Sequence, residues 1–238
     1  MRVETLNYQA DTAMVGTLYL PDGAGPAPGV LLFPDIFGLG DHARERAIRL
    51  AEQGHVVLAA DFHGNGEVLS ADRAMAELES FYARPSTPCD RGRAALAALA
   101  GRAEVDETRL AAIGYCYGGT LALELARLGA PLSAVVGFHS GLATSNPQGA
   151  AQVKGKVLVC IGSEDPAVPP EQRSAFEAEM RAGGVDWQLH LYGGVYHTFT
   201  DWRADSWGRP DFARYDAQAD RRSWDAMSAL LDGVFALG

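Results

Sequence analysis

Five short, almost wholly apolar runs punctuate the chain, with helix-patterned stretches between them. They are Gly29–Phe33, Val56–Ala60, Leu110–Gly114, Ala134–Phe138 and Lys156–Ile161. A strand that does not alternate polar with apolar residues is one covered on both faces. Strands of that kind, alternating with helices, imply a mostly parallel central sheet with helices on both faces. The fold class is therefore α/β. Residues 2–9 and 13–20, split near Ala10-Asp11, read as an antiparallel pair at the N-terminus, and Trp187–Tyr192 reads as a further strand. Helices are expected over 41–53, closed by Gly54, and over 71–84 and 90–101, both Ala-rich. Another carries Leu121, Leu125 and Leu128 and stops at Gly129. A fifth runs from Pro170 to Ala182, with Pro at its start and Gly183-Gly184 at its end. Met227, Leu230, Leu231 and Val234 mark a closing helix. At 238 residues the whole chain, 1–238, is expected to form a single domain.

Charge narrows the partners. The chain has 20 Lys plus Arg against 30 Asp plus Glu, a net charge of −10. That balance repels nucleic acid and anionic membranes, so neither is an expected partner. No apolar run approaches the ~18 residues of a membrane span. The opening MRVETLNYQA carries Glu4 and has no apolar core, so no signal peptide is expected. Cys89, Cys116 and Cys160 are too few and too scattered for a disulfide framework or a zinc site. A cytoplasmic protein without metal or cofactor is the expectation. Oligomeric state leaves no mark in the residues.

In such a sheet, sites form just beyond the carboxyl ends of the strands. After the third buried run comes Gly114-Tyr115-Cys116-Tyr117-Gly118-Gly119, between a strand and an amphipathic helix. A Gly-x-nucleophile-x-Gly turn of this kind lifts its central residue above the sheet, and the following helix start offers backbone N–H groups to an oxyanion. Cys116 is thus a candidate nucleophile. The competing reading, a small buried thiol, suits Cys160 better, inside its apolar run. A nucleophile needs a base and an acid to orient it. After the Lys156–Ile161 strand, the acid is Asp165 or Glu164. His190 falls mid-strand, whereas His197 lies beyond the end of Trp187–Tyr192, so position favours His197 as base. His63 and His139 also follow strands and are read as pocket-lining groups.

At these residues the sequence resembles the dienelactone hydrolase family of α/β hydrolases, over essentially its whole length. The resemblance rests on Pro34-Asp35-Ile36-Phe37-Gly38, on the Cys116 turn, on Gly162-x-x-Asp165-x-x-Val168-Pro169, and on Tyr192-x-x-x-x-His197-x-Phe199. It implies an α/β-hydrolase fold and a triad of Cys116, Asp165 and His197, selecting Asp165 over Glu164. It also implies an oxyanion hole made by the amides of Ile36 and Tyr117. Asp35, Phe37, His63, Trp202 and Arg203 are the candidate substrate-binding residues. Two departures stand out. Type members carry Glu where this chain has Asp35. They also hold a substrate carboxylate with two arginines, at positions occupied here by Asn65 and Asp201. Arg203 lies close by in sequence and could substitute, but Asp201 is expected to repel an anion. The implied partner is a small ester or lactone, with dienelactone itself disfavoured.

The chemistry that follows is ester or lactone hydrolysis through a thioester on Cys116. A glutamine amidotransferase, which also uses a cysteine on such a turn, would carry a carboxylate two residues after its histidine, where this chain has Phe199. A non-catalytic binding module on the same fold is the other alternative. Phe37, Phe62, Tyr117, Trp202 and Trp207 are candidate pocket walls. The stretch from Thr198 to Arg214 lacks periodicity and is expected to be a mobile segment partly covering the site.

Overall fold

The computed structural model describes residues 1–23 and 25–236. The chain divides into two compact units, Met1–Ile113 and the residues from Gly114 onward. Eight strands form the sheet in the order β1-β2-β4-β3-β5-β6-β7-β8.

In the first unit, β1 (Arg2–Gln9) and β2 (Ala13–Leu20) pair antiparallel from Arg2↔Leu20 to Gln9↔Ala13. β1 alternates exposed and half-buried residues, as a sheet edge with one wet face does. β3 (Ala27–Phe33) runs parallel to β4 (Val56–Ala59), and β4 is buried throughout. Helix α1 (Asp41–Glu52) buries Ala43, Arg46, Ala47, Leu50 and Ala51, the 3–4 spacing of a single face. α2 spans Ala71–Ala83.

Two elements here are longer than the residue pattern predicts. α3 (Ser86–Ala100) begins four residues before the expected start, with Pro88 and Cys89 inside its first turn. Proline is tolerated there because first-turn N–H groups have no helical acceptor, so Pro88 reads as a breaker without acting as one. β5 (Val105–Tyr115) gains an N-terminal half whose Asp106, Glu107 and Thr108 are not buried, so apolar patterning cannot reveal it.

In the second unit, β6 (Ala134–Phe138), β7 (Lys156–Gly162) and β8 (Trp187–Tyr192) form parallel pairs in that order. α4 spans Tyr117–Arg127, α5 Pro170–Ala182 and α6 Ala217–Phe235. Leu128 lies past the end of α4 and is 39% exposed, so the apolar face of that helix stops at Leu125. α6 starts where Asp216 accepts the N–H groups of Gln218 and Ala219, an N-cap, and buries Met227, Leu231 and Phe235. Among the described residues no helix is long and apolar enough to cross a membrane.

A buried ion pair fastens this unit. Arg127 on α4 donates to both carboxylate oxygens of Glu179 on α5, at 2.7 and 2.8 Å, to Glu124 at 2.8 Å, and to the Leu142 carbonyl at 3.1 Å. Both partners of the central pair are nearly inaccessible to water. Leaving one such charge without its counter-ion costs about 3–5 kcal/mol, whereas replacing both with apolar groups costs far less. Arg127→Met should therefore lower the unfolding free energy by about that amount, and Arg127→Met/Glu179→Leu should recover most of it. Urea unfolding of the two variants measures both quantities, and equal losses would show that the pair stabilises by attraction rather than by mutual neutralisation.

Candidate active site

The turn between β5 and α4 is tight enough to exclude side chains. A Cβ on Gly114 would lie 2.1 Å from the Gly118 carbonyl oxygen, which is why only glycine fits. Cys116 at the apex has φ 53° and ψ −124°. That left-handed backbone costs a non-glycine residue on the order of 1–3 kcal/mol. Its N–H is shared between the Phe138 carbonyl at 3.0 Å and His139 Nδ1 at 3.2 Å. Cys116 is half-buried, whereas Cys89 and Cys160 are buried, and burial pushes the Cys160 thiol up to about 12.

Facing Cys116 is His197, in the loop after β8. Its Nε2 lies 3.3 Å from Cys116 Sγ and its Nδ1 lies 2.7 Å from Asp165 Oδ2. Asp165 sits in the loop after β7, and its other oxygen accepts the Ala167 N–H at 2.8 Å. A carboxylate can only accept, so Nδ1 carries the proton of that contact and Nε2 points at sulfur. Glu164 is exposed and takes its hydrogen bond from Ser163, so geometry separates the two candidate acids. His190 contacts Gln188 instead. Burial opposes the charged form of His197. The Coulombic influence of the Cys116 sulfur and the hydrogen bonds that His197 makes with Asp165 and Cys116 outweigh it, and the imidazole is pushed up to about 10.

The segment 198–214 is folded back onto His197 rather than loose. His197 N–H donates to the Phe212 carbonyl, Arg214 N–H donates to the His197 carbonyl, and Phe212 lies against the imidazole at 5.0 Å. A short 3₁₀ turn, Ala204–Trp207, interrupts the segment. Trp202 is 57% exposed. Asp201 corrects one expectation. It is wholly buried, and Arg203 binds both of its oxygens at 3.0 and 2.8 Å. Its charge is therefore neutralised inside the protein, and Arg203 is engaged in neutralising it. Tyr117, the first residue of α4, is buried.

The remaining candidates belong to the first unit. Asp35 and Ile36 are buried after β3, with Asp35 Oδ1 accepting the Phe37 N–H at 2.9 Å. That Asx turn occupies one oxygen of the side chain that departs from the family's Glu. Asn65 is exposed, with φ 57°. Phe62 is core, packed on His63 and Phe81 at 4.4 and 6.0 Å. Asp61, which residue patterns did not single out, organises this loop by accepting the N–H groups of Val15, His63, Gly64 and Gly66. The Asp-x-His-Gly-x-Gly spacing was the available signal. His63 Nε2 lies 2.9 Å from the Ile36 carbonyl, which must accept, so the neutral ring is protonated there. Burial, the leading influence, pulls His63 down to about 4.

Two titrations follow. Cys116→Ala removes the largest upward influence on His197, so the imidazole midpoint read by NMR should fall relative to the unsubstituted protein. An unchanged midpoint would show that the sulfur and the ring are uncoupled. For His63 the folded ring protonates near 4 and the unfolded ring near 6.5. The unfolded chain then binds more protons between those values, so stability is full above about 6.5 and declines as pH falls toward 4. Urea midpoints at pH 7 and 4.5 should differ less in His63→Gln than in the unsubstituted protein.

Comparison with known proteins identifies the family. The family model described as the dienelactone hydrolase family matches residues 14–235. Carboxymethylenebutenolidase 2 of Cupriavidus pinatubonensis is 30% identical over 195 residues, 74% of this chain and 75% of its own. The structure of P91, a dienelactone hydrolase-like promiscuous phosphotriesterase from metagenomic libraries, superposes with a TM-score of 0.94. It is 42% identical, with 98% of each chain covered. A dienelactone hydrolase from Anabaena variabilis, 18% identical, shares the fold with a TM-score of 0.67 over 95% of this chain and 97% of its own. The eight-stranded, mostly parallel sheet with its antiparallel pair is that of an α/β hydrolase, and this chain belongs to the dienelactone hydrolase family.

Proposed function

We propose that this hydrolase cleaves carboxylic esters or lactones, with Cys116 as nucleophile, His197 as general base and acid, and Asp165 as the group that orients the histidine. One observation carries the reading: Sγ, Nε2, Nδ1 and Oδ2 form a continuous series at 3.3 and 2.7 Å, on the strained turn where β5 meets α4. The raised basicity of His197 suits a ring that takes the thiol proton.

In the first step the thiol proton moves to Nε2 and the sulfur lone pair forms a C–S bond to the carbonyl carbon. The C=O π electrons shift to oxygen. Tyr117 opens α4, so its amide meets this oxyanion at the positive end of the helix dipole. The family resemblance assigns the Ile36 amide the same role. When the carbonyl re-forms, the C–O bond breaks and the leaving oxygen takes the proton from Nε2. Water then loses a proton to Nε2 and attacks the thioester, and the C–S bond breaks to release the acid and the thiol. Thiolate leaves more readily than an amine, so esters with acidic leaving groups and strained lactones are substrates and amides are poor ones. Cytoplasmic location, a single catalytic domain and small neutral substrates belong to the same reading, with Phe37, Trp202 and Arg203 as substrate-side groups.

A second substrate class is favoured by one comparison. The 42% identity to P91, described as a promiscuous phosphotriesterase, supports reading uncharged phosphotriesters as further electrophiles for the same sulfur.

Rapid mixing with p-nitrophenyl acetate tests the assignment. The unsubstituted enzyme should release one equivalent of p-nitrophenol in a burst, and Cys116→Ala should show none. His197→Ala should acylate at least about 10³-fold more slowly, since triad members act as a unit. A burst that survives in Cys116→Ala would remove the cysteine from the mechanism.

A further inference from the structure

His139 lies outside this proton path yet touches both ends of it. It directly follows β6 and is fully buried. Its Nδ1 faces the Cys116 N–H at 3.2 Å, and its Nε2 lies 2.8 Å from Thr200 Oγ1, on the segment after His197. The ring meets His197 edge-on at 5.2 Å and Phe199 edge-on at 5.3 Å. Three non-glycine residues of this unit have positive φ: Cys116 at 53°, His139 itself at 40° and Thr198 at 58°. Such backbone persists only where neighbouring contacts over-determine it.

The protonation state follows from the partners. An amide N–H can only donate, so Nδ1 must present a lone pair, and the neutral ring then carries its proton on Nε2 and donates it to Thr200. One ring thus accepts from the nucleophile's backbone and donates to the segment that bears the base.

We propose that His139 is a positioning residue. Through Cys116 N–H and Thr200 Oγ1 it sets the Sγ–Nε2 distance and the tilt of the peptide that leads to the Tyr117 amide. This rests on the cysteine–histidine reading above. Its mechanical content is separate: the ring fixes where the two reacting atoms lie, and takes no proton from either.

The two ring nitrogens can be separated by substitution. The side-chain oxygen of His139→Asn occupies the place of Nδ1 and keeps an acceptor for Cys116 N–H, and asparagine tolerates φ 40°. His139→Phe keeps the ring and loses both contacts. Thr200→Val keeps the shape of residue 200 and loses the acceptor. The readouts are the burst rate with p-nitrophenyl acetate, KM, and the thermal midpoint.

A misplacement near 1 Å costs up to about 10²-fold in rate. His139→Phe and Thr200→Val should therefore slow the burst by about 10- to 100-fold with KM within about twofold, while His139→Asn stays faster than His139→Phe. Should His139→Phe fail to fold, Thr200→Val and His139→Asn still decide the matter. A Thr200→Val burst at the unsubstituted rate would overturn the proposal, as would equal slowing in His139→Asn and His139→Phe, which is what a space-filling role gives. Absence of a burst in the unsubstituted enzyme would instead bring down the cysteine reading, and this proposal with it.

Discussion

Everything at the site depends on holding one peptide unit in a conformation that its own residue disfavours. Cys116 is neither glycine nor asparagine, yet its backbone is left-handed. Relaxation would carry Sγ away from His197. The second unit opposes that relaxation on several sides. Gly114 admits the Gly118 carbonyl at a distance no side chain would allow. The Phe138 carbonyl and His139 hold the Cys116 amide, and the amides of Gly119 and Thr120, in the first turn of α4, donate to the Cys116 carbonyl. Strain on the order of 1–3 kcal/mol is small against a packed core but large against a single hydrogen bond, which is why several contacts converge there.

How far the residues disclosed this follows from what each signal measures. Apolar runs report burial on both faces, so β3, β4, β6 and β7 were legible nearly to their ends. They could not report the exposed start of β5 or the first turn of α3, where Pro88 looks like a stop and is accommodated. The Gly-x-Cys-x-Gly turn made the strained position of Cys116 legible because steric exclusion leaves glycine as its trace. Loop position exposed His197 and left Asp165 and Glu164 level, since two adjacent carboxylates differ only in which way the loop points them. His139 showed itself only as a histidine after a strand. Its contacts arise from Thr200, sixty-one residues away, and no local pattern encodes a pairing at that range.

Charge is handled in a consistent way. The chain is acidic overall, yet its buried carboxylates have assigned donors. Asp61 takes four backbone amides, Asp165 takes His197 and Ala167, Glu179 takes Arg127, and Asp201 takes Arg203. Each accepts bonds that its own loop or a neighbouring element supplies, so burial does not leave an uncompensated charge. The Asp201–Arg203 pair shows why a list of charged residues misleads about specificity. A carboxylate near a site repels an anion only while its charge faces the solvent side of that site.

The three cysteines differ in access. Cys89 and Cys160 are shielded, the latter held protonated by its surroundings, and only Cys116 reaches toward solvent. Among the thiols, peroxide and soft electrophiles therefore meet that of Cys116 first. Under the proposed mechanism, the exposure that lets a substrate carbonyl approach also admits the oxidant, and a sulfenic acid at this position can take no acyl group. With the other two thiols buried, no neighbouring sulfur is presented to convert that oxidised form into a protective disulfide. Under that mechanism, the working life of the enzyme depends on the reducing capacity of its surroundings as well as on the stability of its fold.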